Sequence, residues 1–305
     1  MKCIICQSNC NKIFNFNSDY EFFKCENCDF TFRNPADEKI DYYADYVDKS
    51  LINKSVKLAQ NYYKRFSKYI SNNSKVLEVG GSLGYFGKEL IDRKQCQVYN
   101  FELSEFGREY SQELGNKPIV GYDELENEKF DTIVSFHVIE HVKLEDIEPF
   151  ITKLMTYLNP NGHLIIVTPN ANSNKFTLLK AGYPWIAFPE HIGFLSKKSV
   201  NTIAKRNNLN LVKVNDEIPA FKHYPSYSFL IKLRRKLLPA KVEINEVSVE
   251  DSPQPISLKS RIIGTLKSAF NTFSQIEKYI YLPLFIFIDF IKSEKDELVI
   301  IIKKE

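Results

Sequence analysis

The sequence predicts an α/β protein built on a doubly wound, mostly parallel sheet, with a small cysteine-pinned module in front and a mostly helical insertion ahead of its last strand. Three observations carry this expectation. Residues 75–87 read K-V-L-E-V-G-G-S-L-G-Y-F-G, a short apolar strand, a glycine-rich turn and a helix start. From there to Val214, strand-length apolar runs alternate with helical patterns, the signature of a parallel sheet with crossover helices. Ahead of both stand Cys3-x-x-Cys6 and Cys25-x-x-Cys28.

The N-terminal module, residues 1–34, follows from those cysteines. Thiolates at Cys-x-x-Cys spacing bend toward one tetrahedral ion, and Cys3, Cys6, Cys25 and Cys28 complete a closed four-sulfur shell, the pattern of a structural zinc ribbon. With no open coordination position, this Zn2+ pins a module too small to fold on burial alone and is not expected to catalyse. Disulfides are the alternative, disfavoured in a reducing compartment. Cys10 is a spare near the site and Cys96 a small buried hydrophobe. A tyrosine-rich linker and helix, residues 35–74, follow; Tyr42, Tyr43 and Tyr46 either cover the site as a lid or pack the helix of residues 54–70 on the sheet.

In the core, residues 75–216, the first turn admits a ligand to bare amides at a helix N-terminus, and Glu78 is placed to take a hydroxyl or ammonium group. A nucleotide-like cofactor is expected. A dinucleotide fingerprint starting at Gly80 would need glycine at Ser82 and Tyr85, and no G-K-[ST] follows for a phosphate loop. Residues 97–101 form the second strand, ending at Glu102, where a carboxylate can accept two ribose hydroxyls. Residues 117–120 are a third strand, and 131–136 (D-T-I-V-S-F) an apolar run buried on both faces. A helix over 144–158, an N-P-N-G turn, a strand over 163–168, a helix over 197–207 and a strand over 210–214 complete the alternation. Residues 296–305 hold a last strand, E-L-V-I-I-I-K.

Acidic-x-G-x-G-x-G, matched by Glu78, Gly80 and Gly84 with Ser82 in place of the middle glycine, resembles motif I of class I S-adenosylmethionine (SAM) dependent methyltransferases; L-N-P-N-G-H-L-I-I-V-T-P resembles their L-x-P-G-G turn and fifth strand. The resemblance implies a Rossmann-like seven-stranded sheet whose last strand is antiparallel. It also implies a SAM site formed by Glu78, Gly80, Gly81, Gly84, Tyr85, Phe86, Glu102, Leu103, Asp123, Phe136 and His137. Joined to the zinc ribbon and the linker, it is similar to a methyltransferase-23-like subgroup that modifies sugars and surface polysaccharides.

Methyl transfer from a sulfonium is an in-line displacement, and a hydroxyl or carbon acceptor also needs a base. His137-Val-Ile-Glu140-His141 follows the fourth strand at the edge where such sheets bind ligands. It resembles the E-x-x-E-H of ubiquinone-pathway O-methyltransferases, which implies a divalent metal, but with His137 at the first acidic position. The alternative is that Glu140 and His141 only shape the pocket. Pro189-Glu190-His191-Ile-Gly-Phe-Leu-Ser196 resembles the E-H-x-x-Y-F-S segment of deoxysugar C-methyltransferases. It implies His191 as general base with Glu190 orienting it; His137 is the further catalytic candidate, and a purely structural His191 is the alternative.

The insertion, residues 217–295, is the segment expected to set acceptor specificity. Its basic stretches and the apolar residues 279–291 suggest peripheral membrane association through 232–291, against a sheet-edge cover or a homodimer interface. A net charge of +3 argues against a dedicated nucleic-acid partner, and no signal peptide or membrane span is read, so a cytoplasmic protein is expected, with the inner face of the membrane as the second expectation. The leading reading is a methyltransferase acting on a sugar hydroxyl of a polysaccharide, glycolipid or nucleotide sugar. The alternatives are an O-methyltransferase on an aromatic or quinone-like acceptor with a metal near Glu140 and His141, and a degenerate zinc-ribbon interaction protein.

Overall fold

A computed structural model describes residues 1–36, 52–217 and 296–305. Tyr42, Tyr43, Tyr46, the 232–291 stretch expected to meet a membrane and the rest of the insertion from 218 to 295 lie outside the described residues.

The N-terminal strands β1 (Cys10–Asn15), β2 (Glu21–Cys25) and β3 (Thr31–Asn34) form an antiparallel meander. Helix α1 (Ile52–Phe66) leads through a short turn to β4 (Lys75–Val79), α2 (Tyr85–Lys94), β5 (Gln97–Phe101), α3 (Glu105–Glu113) and β6 (Lys117–Ile119). The second half runs β7 (Phe130–Phe136), α4 (Ile147–Thr156), β8 (Leu158–Pro169), α5 (Asn174–Leu179), β9 (Gly193–Phe194), α6 (Lys197–Arg206), β10 (Asn210–Glu217) and β11 (Glu297–Lys303).

The large sheet has the order β6-β5-β4-β7-β8-β11-β10, parallel except for β11, which is antiparallel to both neighbours. This is the seven-stranded arrangement the motif I resemblance implied. The strand order reverses beside β4, so a crevice opens at the carboxyl ends of β4 and β7, where ligands of doubly wound sheets bind. Its central strands carry apolar runs because both faces are covered: Ile133, Val134 and the Leu164–Val167 run are wholly buried. One face receives α1 through Ala59, Tyr62 and Phe66, which cluster with Phe86, Val98, Val299 and Ile301. The opposite face is shared: Ile147, Ile151 and Leu154 of α4 and Val200 and Ile203 of α6 pack in one cluster with Ile5, Phe30 and Phe32 of the N-terminal module.

That shared cluster makes the cysteine module part of the core. Its strand β3 pairs with β9 (Thr31 with Phe194, Phe32 with Gly193), so the four-stranded sheet β1-β2-β3-β9 includes a piece of the loop after β8. Ser196 Oγ donates to Cys28 O at 2.6 Å, and Arg206 Nη1 donates to Ile5 O at 2.8 Å.

Two local expectations shift. The helix expected over 144–158 is a short helical turn at Leu144–Asp146 followed by α4. The strand expected from His163 begins at Leu158, with its register against β7 slipping between Phe130 and Thr132. Asn161 takes a φ of 65°, and Asn159 Nδ2 donates to Asp131 Oδ1, so the N-P-N-G stretch kinks within the sheet instead of leaving it.

Candidate cofactor and acceptor site

The glycine-rich turn joins β4 to α2. Gly80 has a φ of +72°, and a Cβ there would stand 2.4 Å from Val138 Cγ2; the loop therefore closes tightly over the start of the next crossover. A Cβ on Gly81 would meet Asn100 Oδ1 at 2.3 Å and Glu78 Cδ at 2.7 Å. Beneath the loop, Glu78 is buried and its Oε2 accepts from Gly87 N at 3.2 Å. Burial pushes its carboxyl up to about 8, the Gly87 amide opposes this and the Glu102 charge adds to it. Glu78 thus braces α2 against β4 rather than reaching out for a hydroxyl or ammonium group.

Glu102 stands at the carboxyl end of β5. Its Oε2 accepts from Ser82 N at 2.8 Å and its Oε1 from Ser104 N at 2.9 Å. The two amides fix the carboxylate while leaving further lone pairs on each oxygen for hydroxyl donors. Ser82 contributes its amide and, through its carbonyl, accepts from Asn100 Nδ2 at 3.2 Å; the missing middle glycine leaves the loop intact at a φ of 50°. Gly84 is the N-cap of α2 and brings no side chain to its first amides, of which Gly87 N is already bonded to Glu78. Tethered acid, helix start and glycine turn fit a nucleoside bearing a carboxylate, as SAM does. SAM would be held by Glu102 at its ribose and by the loop at its amino-acid end.

The remaining cofactor candidates have varied surroundings. Leu103 is 46% exposed beside Glu102, and Asp123 is exposed in the turn after β6. Tyr85 OH shares a 2.8 Å hydrogen bond with Tyr110 OH. Phe86 is buried against Phe136, whose ring also meets Tyr62 and Phe66, so both aromatics pack α1 and α2 onto the sheet.

A buried polar network lies at the same edge. His137, with a φ of 56°, directly follows β7; its Nδ1 is 3.2 Å from Glu140 Oε1 and its Nε2 3.3 Å from Glu297 Oε1, while its ring stacks on Trp185 at 4.6 Å. Burial pulls His137 down, but hydrogen bonds and charge from Glu140 and Glu297 prevail and hold it at about 9. Burial pushes Glu140 up, and the His137 hydrogen bond and charge, with His191 and His141, prevail to hold it at about 2. Thr168 Oγ1 donates to the other Glu140 oxygen at 3.0 Å, and Arg65 pairs with Glu297 at 2.7 Å. His137 is therefore an imidazolium clamped between two carboxylates at neutral pH and has no lone pair with which to accept a proton.

His191 differs. It is 6% exposed, and burial pulls it down to about 4 against the attraction of Glu140, so it is neutral at pH 7. Its Nδ1 bonds the Trp185 carbonyl, which only accepts; the proton is therefore on Nδ1, and among the described residues no donor takes the Nε2 lone pair. The partner in reach is Glu140, not the expected Glu190: among the described residues no hydrogen bond joins Glu190 to His191, whereas ligating atoms of Glu140, His141 and His191 lie within 4.8 Å of one another. The His141 and His191 rings meet edge-on at 4.5 Å.

The four cysteines converge as expected, with Sγ distances of 3.6 Å (Cys3 to Cys28) and 3.4 Å (Cys6 to Cys25), and all four within 4.8 Å. Tetrahedral thiolates about 2.3 Å from one zinc stand about 3.8 Å apart, so this set can hold a metal ion. The Cys28 thiol holds Cys3 down at about 5, while Cys28 itself is pushed up; ionising one sulfur hinders the next, and a dication at the centre would relieve this. Cys10 stays a thiol, pushed up to about 12 by burial and by the charges of Cys3 and Cys25.

Trp185, Glu297, Thr168 and Arg33 were not singled out in the sequence. Glu297 alone carried a signal, as the charged residue opening an otherwise apolar strand.

Residues 53–214 match a family profile described as a methyltransferase domain. Among solved structures, a SAM-dependent methyltransferase from Archaeoglobus fulgidus superposes with a TM-score of 0.51 at 15% identity, covering 84% of this chain and 100% of that one. Coclaurine N-methyltransferase bound to N-methylheliamine and SAH aligns with a TM-score of 0.49 at 15% identity, covering 88% of this chain and 76% of that one. No curated protein matches. Among the described residues, no helix is long and apolar enough to cross a membrane.

Proposed function

Because the chain belongs to the methyltransferase-domain family and is a SAM-dependent methyltransferase, we propose that its acceptor is a sugar hydroxyl, in a polysaccharide, glycolipid or nucleotide-sugar precursor, and that His191 is the base. One observation carries the base assignment: a buried, neutral imidazole whose Nδ1 proton is fixed on the Trp185 carbonyl, leaving Nε2 to receive a proton. The cofactor supplies the electrophilic methyl. Glu102 and the Gly80–Gly84 loop orient it, and His191 takes the hydroxyl proton as the oxygen becomes nucleophilic. Glu140 stabilises the imidazolium that then forms, and His137, already charged, holds Glu140 in place. The cysteine set is assigned to a structural Zn2+, which fixes β3 and, through the β3–β9 pairing, the segment carrying His191.

The test measures methyl transfer from labelled SAM to a panel of neutral and anionic sugars, together with SAH binding. His191→Ala is expected to lose at least a hundredfold in kcat with SAH affinity unchanged. Near-normal turnover in that variant would end the base assignment.

The convergence of Glu140, His141 and His191 favours a second reading, a divalent ion on these three donors activating the acceptor oxygen. Metal quantification separates the two. One zinc per chain, with activity surviving removal of added magnesium, supports the base; a second equivalent lost in His141→Ala supports the ion.

A further inference from the structure

Arg33 is the largest wholly buried side chain of the described fold, and among the described residues its Nε, Nη1 and Nη2 have no hydrogen-bond partner. Burial is the sole influence moving its pKa, and it acts downward: among the described residues no carboxylate compensates the charge. A buried guanidinium left unpaired is strongly unfavourable, and its planar fork of donors matches one kind of ligand, a carboxylate or phosphate held by two parallel hydrogen bonds.

The surroundings define a built cradle. The Arg33 Cζ lies 4.9 Å from the Tyr20 ring centroid and 5.2 Å from that of Phe188, a cation–π contact to each ring. Phe188 is itself stacked on Phe16 at 4.6 Å and meets Tyr20 edge-on at 4.7 Å. These rings hold the guanidinium but give its N–H groups nothing to donate to. The location relates the cradle to the reaction: Arg33 N donates to Ile192 O at 3.0 Å, next to His191, and Ile192 N donates to Glu140 O at 2.8 Å. Phe188, half-buried, stands three residues before His191 on the same loop.

We propose that Arg33 is the anion-binding residue of the acceptor site, so that the methyl acceptor is an acidic sugar whose carboxylate or phosphate seats on the guanidinium while its hydroxyl is presented to His191. Phe188 is the cover; the anion enters as its ring swings aside, and the N-terminal module thereby takes part in substrate choice. This rests on the placement of the acceptor beside His191 proposed above.

The experiment titrates zinc-loaded, SAH-saturated protein with glucuronate, glucose 1-phosphate and glucose at constant ionic strength, using the wild type, Arg33→Met and Arg33→Lys. One of the two anions is expected to bind the wild type and to lose at least tenfold in affinity in Arg33→Met, with partial recovery in Arg33→Lys. Which anion binds distinguishes carboxylate from phosphate. Failure of both to bind the wild type, or equal affinity in Arg33→Met, overturns the proposal. Thermal unfolding guards against a folding artefact: with no ligand, removing an uncompensated charge is expected to leave the melting temperature equal or higher, and a marked drop would show a structural role and refute the assignment. Anion binding that survives in His191→Ala separates this site from the base, so each assignment can fail alone.

Discussion

Replacing Glu140 by glutamine tests the clamp on His137 most directly. In the native network His137 is raised from 6.5 to about 9 by Glu140 and Glu297. At about 1.4 kcal/mol per pH unit, that step is worth on the order of 3 kcal/mol of stability once protonation is complete. Because the folded-state pKa is the higher, this contribution is fully present below pH 6.5 and is lost as pH rises through about 9. Glutamine keeps the shape and the acceptor for Thr168 but removes one of the two charges. Urea unfolding is then expected to show Glu140→Gln less stable by about 2 kcal/mol at pH 6, with the gap closing to about 0.5 kcal/mol or less at pH 10, where His137 is neutral in both proteins. A nuclear magnetic resonance titration of His137 should show its pKa falling in the variant. A stability gap independent of pH between 6 and 10 would refute the imidazolium clamp.

Four further outcomes follow from the same geometry. Glu102→Ala should weaken SAH binding about a hundredfold by calorimetry, since it removes the ribose acceptor and frees the Ser82 amide. Gly80→Ala, placed at a φ of +72° against Val138, should cost about 2 kcal/mol or more in chemical denaturation and weaken cofactor binding with it. Stripping the metal or making Cys28→Ser should raise hydrogen exchange not only in β1–β3 but also at Gly193–Phe194, because β9 pairs with β3; unchanged protection there would uncouple the module from the site. His191, held at about 4, remains a neutral base as pH falls through 6.5, so the kcat profile should stay flat to about pH 5 and drop only toward 4; over that same interval the unfolded chain takes up a proton that folded His191 refuses, so this residue makes the fold less stable as pH falls from 6.5 to about 4.

Much of the architecture is written locally. The buried run at β7, the strand–turn–helix of residues 75–87 and the apolar β11 each announce their element through period and composition, because a strand covered on both faces has no polar side to show. The helix expected over 197–207 was equally legible and is α6, opened by Ser196, whose side chain accepts from Ser199 N at 3.0 Å. The four cysteines carry their capacity for a metal ion in their spacing.

What each acid does was decided elsewhere. Glu78 looked like a ligand group, and the buried amide of Gly87 turns it into a brace. Glu190 sits next to His191 in sequence, yet the turn in which both amides bond Ala187 O gives His191 the Trp185 carbonyl and the neighbourhood of Glu140 instead. His137 looked like a base until Glu297, 160 residues away, came to its other nitrogen.

The sequence by itself determined the class of fold, the succession of its strands along the chain, the glycine-rich turn and the metal-competent cysteines, because each depends on residues within one turn, one strand or one short repeat. Only the tertiary structure decided the protonation of the histidines, the joining of the cysteine module to the acceptor loop through β3 and β9, and the burial of Arg33 between two rings, because desolvation and charge depend on what the rest of the chain brings within a few ångströms.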